Sequence, residues 1–297
     1  MPRRSSAKPS MRRRKFHAQS RRLLPWLLTL LGVAGVGAML FTVMRPRTKP
    51  TPVITNLPAP VRGGWWKPSP STTWQWQLSG EVDPSIDVQM YDIDLFDVPV
   101  GLIGRLRREG RLAVCYFSAG TYEDWRPDQA DFPPQVLGKI LPDWPSERWL
   151  DIRQLEQLAP VLLSRLGLAV QKDCDGVEPD NLDGYDNDSG FPLTYADQLA
   201  YNIWLAEQAH ARGLSVGLKN DLDQVFDLQP YFDWALNEEC FTYQECDRLS
   251  PFVDAGKAVF GVEYSLEPAD FCPQANTLDF DFLHKERELG TWRLACR

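Results

Sequence analysis

The residues with chemistry to offer lie where short apolar runs end. In chain order these ends give Asp92 and Asp94, Ser118 and Gly120, Glu178 and Asp180, then Lys219, Asn220 and Asp221. Asn237, Glu238 and Glu239 follow, and last Glu263 and Tyr264. The set is carboxylates around one lysine, without a histidine. Only His17, His210 and His284 exist, and no His-Glu-x-x-His pair is present, so a zinc site is not expected. Tyr116–Gly120 lacks the first glycine of a nucleophile elbow, which argues against a serine triad. Asp186–Gly190 begins like a calcium loop but sets Gly190 at a ligand position, so a turn is the better reading. Neither metal nor cofactor is expected. What paired carboxylates do well is hydrolyse glycosidic bonds, one as general acid and the other as nucleophile or base beside an oxocarbenium-like transition state.

Such groups need elements to hold them. Strand-like runs occur at 74–78, 88–95, 112–117, 176–178, 215–218, 234–236, 258–262 and 292–294, and helical patterns fall between several of them. The clearest helix spans 194–212, with Thr194 as N-cap, Asp197 three positions on and Gly213 as terminator. Residues 155–166 and 280–289 are weaker helices. Eight such runs alternating with helices predict an α/β fold, a (β/α)8 TIM barrel, whose active site sits at the C-terminal ends of the strands. A doubly wound sheet usually shows a glycine-rich phosphate turn after its first strand, and none is present. Pro179 halts ladder pairing so that Asp180 and Asn181 project above the barrel.

Residues 174–185 (Cys174-Asp-Gly-Val-Glu-Pro-Asp-Asn-Leu-Asp-Gly-Tyr185), with 113–120, 213–221 and 232–240, resemble glycoside hydrolase family 114, the endo-α-1,4-polygalactosaminidases with a TIM-barrel fold. The likeness extends to 74–80, 243–246 and 256–264, in separate blocks over most of the barrel region. It implies hydrolysis within chains of α-1,4-linked galactosamine by Asp180 and Glu238, at the ends of strands four and six, with the division of roles open. Glu239 competes with Glu238, but neighbours on a strand point to opposite faces. Lys219 has two readings, a Schiff-base lysine or a partner that sets a carboxylate's charge, and the second is preferred. Trp125 is the candidate sugar platform, with Asp92, Asp94, Glu123 and Asp124 placed to hold a protonated amino sugar. Asn181, Tyr185, Lys219, Asn220, Asp221, Glu263 and Tyr264 complete the expected substrate-binding set. A glycan-binding barrel without turnover, and an endo-glycosidase for N-acetylated or mixed chains, are the competing functions.

Charge divides the 297 residues sharply. Residues 1–49 hold 12 of the 32 Lys and Arg and none of the 40 Asp and Glu, so the remainder has 20 basic against 40 acidic residues, a net of −20. That surface repels nucleic acid and favours a cationic polysaccharide as partner. Residues 1–22 read as a basic cytoplasmic tail and 23–44 as a single N-terminal transmembrane helix, a charge-free run long enough to span a lipid bilayer. A cleaved signal peptide competes with this anchor, though the run exceeds the usual signal core. Residues 45–62 form a Pro-rich linker and 63–297 the hydrolase domain, expected outside the cytoplasmic membrane. All six cysteines follow the anchor, where disulfides persist. Six allow 15 pairings. Cys240 and Cys246 are close enough to close a small loop, Cys272 with Cys296 would tie down the C-terminus and Cys115 would then pair with Cys174, but sequence alone does not choose among these pairings.

Overall fold

The first seven expected strands all form. A computed structural model describes residues 57–99 and 101–297. Its elements run β1 (Trp74–Gln77), β2 (Met90–Asp94), α1 (Leu102–Arg108), β3 (Leu112–Ser118), β4 (Thr121–Glu123), β5 (Leu137–Ile140), β6 (Glu147–Leu150), α2 (Leu155–Gln171) and β7 (Gly176–Asp180). Then come α3 (Tyr195–His210), β8 (Ser215–Lys219), α4 (Val225–Leu228), β9 (Trp234–Glu238), α5 (Ser250–Asp254), β10 (Val259–Glu263), α6 (Pro268–Thr277), β11 (Asp281–His284) and β12 (Leu294–Ala295). The order β1-β2-β3-β7-β8-β9-β10-β11 is parallel at every pairing. The sheet curls until the Trp74 indole of the first strand donates to the Asp281 carbonyl of the last at 2.9 Å. This is a (β/α)8-type arrangement with departures.

Alternation along each strand sorts the core into two. Trp74, Trp76, Met90, Val114, Trp234, Leu236, Phe260, Val262 and Leu283 pack inside the sheet. Tyr91, Ile93, Cys115, Phe117, Val177, Val216, Leu218 and Val259 face the helices, against residues such as Leu162, Leu166, Leu199 and Ala206. α3 begins as its sequence requires, with Thr194 and Asp197 making a reciprocal capping box.

Two expectations fail. The segment 280–289 is not helical: it supplies β11, the eighth parallel strand, whereas the 292–294 run expected there gives only β12, antiparallel to β11. Phe280 and Phe282 alternate with Leu283's side of the strand, and Phe282 fills the space over Gly261, where any Cβ would collide with its ring. Among the described residues there are also six α-helices rather than eight, with none between β1 and β2 or after β11. A feature the sequence reading missed is the antiparallel sheet β4-β6-β5, inserted between β3 and α2.

The three disulfides are Cys115–Cys174, Cys240–Cys246 and Cys272–Cys296, which settles a connectivity that the sequence left open. Among the described residues no helix is long and apolar enough to cross a membrane. The expected tail at 1–22, span at 23–44 and first part of the linker, 45–56, lie outside the described residues. The end of that linker already belongs to the barrel: Leu57 packs on its core and the Tyr231 hydroxyl donates to the Pro58 carbonyl at 2.6 Å.

Candidate active site

The strands deliver their inward-facing last residues to one mouth: Asp94, Tyr116 and Ser118, Asp180, Lys219, and Glu238, with Tyr264 just past β10. Left-handed residues follow three of these strands: Asn181 after β7, Asn220 and Asp221 after β8, and Glu239 after β9, with φ between 44° and 62°. Each turns the chain out of the strand so that the last side chain stays aimed inward. Backbone in this region is held only where its surroundings enforce it, and such residues cluster at functional sites. Asp180 is fixed further by close approach. The Ala119 and Gly120 amides donate to its carbonyl at 2.9 and 3.0 Å, and a Cβ on Gly120 would run into the Asn181 carbonyl.

Lys219 is the hub. Its Nζ lies 2.9 Å from Asp180 Oδ1, 3.0 Å from Glu238 Oε2 and 3.5 Å from Glu178 Oε1, and 4.9 Å from the centre of the Trp76 ring. Asp180 also accepts from the Asn181 amide (2.7 Å) and the Tyr116 hydroxyl (3.1 Å). Glu238 accepts from Tyr264 and from Asn220 Nδ2 (3.2 Å). Burial alone would raise the Glu238 pKa, but Lys219 and these donors hold it below its ordinary value. Burial likewise disfavours a charged Lys219, yet the three carboxylates keep it well above the usual lysine range. It is therefore an ammonium, not the neutral amine that a Schiff base needs.

Beneath this layer Asp92 and Glu178 face one another, both fully buried, and the Trp76 indole donates to Glu178 at 2.9 Å. Burial pushes both carboxyls up, Asp92 to about 7 and Glu178 well above its ordinary value. Over the mouth lies a cleft of about 1050 Å³. Its walls carry Trp125 and Trp144, 50% and 56% exposed, on the inserted sheet side, and Tyr243 and Arg287 opposite.

The structure brings Asp180, Glu238, Asn181, Lys219, Asn220, Tyr264, Asp94, Glu123 and Trp125 into this cleft. Asp94 and Glu123 are already claimed, however. Arg126 donates to both oxygens of Asp94 at 3.0 and 2.7 Å and to Glu123 at 2.8 Å. Four other expectations are corrected. Asp92 points inward but a layer too deep, out of reach of any substrate. Glu263 has the opposite parity from Val262 and Tyr264; buried outside the sheet, it accepts from the Phe241 amide and the Thr242 hydroxyl at 2.8 and 2.7 Å. Asp124 is exposed but lies off the cleft wall. Tyr185 and Asp221 stay beside the mouth, lining a side depression that adjoins the cleft. Glu239 does not simply point away, because its left-handed backbone breaks the alternation. It lines the cleft and is paired with Arg287 at 3.0 Å.

Several cleft residues escaped the sequence reading. Tyr116 has the same inward parity as Ser118 and was findable on that ground. Trp144 stands between Pro142 and Pro145, a turn that exposes its side chain. Glu147 accepts from Thr121 at 2.8 Å, and burial pushes its carboxyl up to about 7. Nothing local marked Glu147, since its position depends on the unforeseen inserted sheet.

The profile of glycoside-hydrolase family GH114 matches residues 55–297. The chain belongs to that family. A crystal structure of Aspergillus fumigatus Ega3 in complex with galactosamine is similar at 41% identity, covering 78% of this chain and 97% of that one, with a TM-score of 0.75. The glycoside hydrolase domain of PelA from Pseudomonas aeruginosa shares the fold, at 12% identity and a TM-score of 0.61, over 76% of this chain and 98% of its own. No curated protein sequence matches. This GH114 barrel is a glycoside hydrolase, and its carboxylate-lined mouth is where such chemistry would sit.

Proposed function

We propose that the protein is an endo-acting hydrolase of α-1,4-linked galactosamine polymers, with Asp180 and Glu238 as its catalytic carboxylates. The observation that carries this reading is the pair bridged by Lys219 at the floor of an open cleft. Ega3, 41% identical, was crystallised with galactosamine, which supports the same sugar class here. An open cleft with aromatic faces on one wall suits a polymer passing through, and the ring faces attract a protonated amino sugar.

The carboxylates stand 2.9 and 3.0 Å from one nitrogen, so their nearest oxygens are at most the sum, about 5.9 Å, apart. A pair this close to one nitrogen is compatible with the ~5–5.5 Å carboxyl separation of retaining enzymes, and retention is the course adopted here. One carboxyl then forms a covalent glycosyl-enzyme while the other protonates the leaving oxygen. That second carboxyl subsequently deprotonates the attacking water. Lys219 and the donors beside it hold the Glu238 carboxyl below its ordinary value, so that group rests ionised.

Asp180→Asn and Glu238→Gln should each lower reducing-end release from galactosamine polymer about 10²–10⁴-fold with the fold intact. Proton NMR of the fresh product should show the α-anomer first. Turnover surviving in either variant would remove that residue from the mechanism, and β-anomer appearing first would overturn retention. A parent that binds polymer tightly without cleaving it would make this a glycan-binding barrel.

A further inference from the structure

A second depression, of about 220 Å³, adjoins the reacting pair. It shares Asp183, Asn220, Glu238 and Tyr243 with the main cleft and so opens onto the scissile region. At ~30 Å³ per water it holds about seven waters, which suits one sugar ring and not a length of chain. Asp221 and Asn237, 3% and 2% exposed, form part of its lining. Asp221 Oδ2 accepts from Asn202 at 2.9 Å, but its Oδ1 has no aligned donor among the described residues, although the Tyr185 hydroxyl lies beside it. Asn237 donates Nδ2 to Asn220 at 3.2 Å and leaves its own Oδ1 without a donor. Buried acceptors without donors are few in native proteins, and two in one depression point to a ligand that donates.

The remaining lining sets the sign of that ligand. Asp183, Asp186, Asp223 and Glu245 surround the depression, and its one lining cation, Arg248, is held by Asp223 at 2.6 Å with Glu245 at 3.9 Å. Asp183 has no cationic partner within 4 Å among the described residues. Tyr243 stands exposed at the lip, offering a ring face. Among the described residues no group of three or more His, Cys, Asp and Glu side chains is placed to hold a metal ion. Hydrogen-bond donors, positive charge and the size of one ring together describe an amino sugar.

We infer that this depression is a subsite for a single galactosamine residue with a free amine, its ammonium donating to Asp221 Oδ1 and Asn237 Oδ1. The inference rests on the galactosamine-polymer reading and deepens it. N-acetylation would remove the charge and add an acetyl group where there is room for one ring, so the enzyme selects chains deacetylated beside the bond it cuts.

The test is Asp221→Asn in the full chain. Asp221 has φ 44°, a left-handed conformation that asparagine adopts readily, and the new amide oxygen can still accept from Asn202. Its NH2 then faces the depression where an acceptor stood. For deacetylated polymer KM should rise about 10-fold, the loss of one charge-assisted hydrogen bond, with kcat within about 3-fold. The preference for deacetylated over partly acetylated polymer, as a ratio of kcat/KM, should fall equally. An unchanged ratio, or equal loss on both polymers, overturns the inference while leaving the hydrolase reading intact. Calorimetric Ca²⁺ binding by the parent that the variant abolishes overturns it in favour of a metal site. A parent inactive on both polymers overturns the hydrolase reading itself, and this inference with it. Should the variant fail to fold by circular dichroism, Asp183→Asn carries the same expectations.

Discussion

Replacing Lys219 by methionine would leave Asp180, Glu238 and Glu178 clustered in a buried mouth with no cation among them. Breaking a buried charge network from one side typically costs about 3–5 kcal/mol, and the variant is expected to melt correspondingly lower. One carboxylate should instead take up a proton. Lys219 and the donors beside it hold the Glu238 pKa down, so removing it raises that pKa. The acidic limb of the pH profile of kcat/KM should therefore move to higher pH, with the maximum lowered at least ~10²-fold. A lysine serving only as structural support would lower the melting temperature and leave the limb where it was. The carboxylates that sequence singled out as amine readers divide at this same scale. Asp94 and Glu123 spend their charge on Arg126, and Asp92 lies fully buried beneath the mouth. Asp183, Asp221 and Glu147 have no cation paired with them among the described residues, and burial raises each.

At the level of elements, the inserted sheet β4-β6-β5 decides the shape of the cleft. It carries Trp144 on the turn between β5 and β6 and Glu147 at the start of β6, and it stands where a plain barrel would have a short loop. Trp144 makes its ring available because it is half exposed, so its loss costs contact with substrate rather than core. Trp144→Ala should raise KM for galactosamine polymer about 5–30-fold, a cation–π and stacking contact of about 1–2 kcal/mol, and leave the melting temperature nearly unchanged. A drop in kcat alone would instead place Trp144 away from the bound chain. Across the mouth, the Cys240–Cys246 disulfide and Glu263 hold the turn that presents Glu239 and Tyr243.

For the whole molecule, pH sets a balance between two groups of carboxyls. In Asp151, the hydrogen bond from Arg153 holds the pKa below its ordinary value, and Glu238 is held low despite its burial. Stability from these is present above the ordinary carboxylate range and lost as pH falls through the lowered values. Burial raises Glu147 to about 7 and Asp183 to about 6. Their protonated forms are favoured by folding, so that stability is complete below the ordinary range and is lost as pH rises through about 6 to 7. The melting temperature should peak near pH 4–5 and fall toward pH 7, against the usual rise over that interval. A flat or rising curve would show these groups to be solvated. A cationic polymer in the cleft should offset the loss, because it supplies the charge that ionised Asp183 and Glu147 lack.

Sequence by itself determined the first seven barrel strands, the capped helix α3 and the meeting of Asp180, Lys219 and Glu238 at one mouth. All of these follow from local rules: alternation along a strand, a capping box, and the convergence of strand ends in a barrel. The eighth strand was misread because Phe280–Leu289 is helix-length and rich in helix-forming charged residues, and only the space above Gly261 shows which period is in force. Depth, pairing and parity beyond a strand's end are tertiary quantities. Asp92 and Asp94 share a face and differ by one layer. Glu238 and Glu239 both reach the cleft because the chain turns left-handed between strand and loop. Which carboxylates are free to meet a substrate was decided by Arg126, Arg287 and Lys219 arriving from other elements. Charge neutralisation depends on distances that no single segment contains.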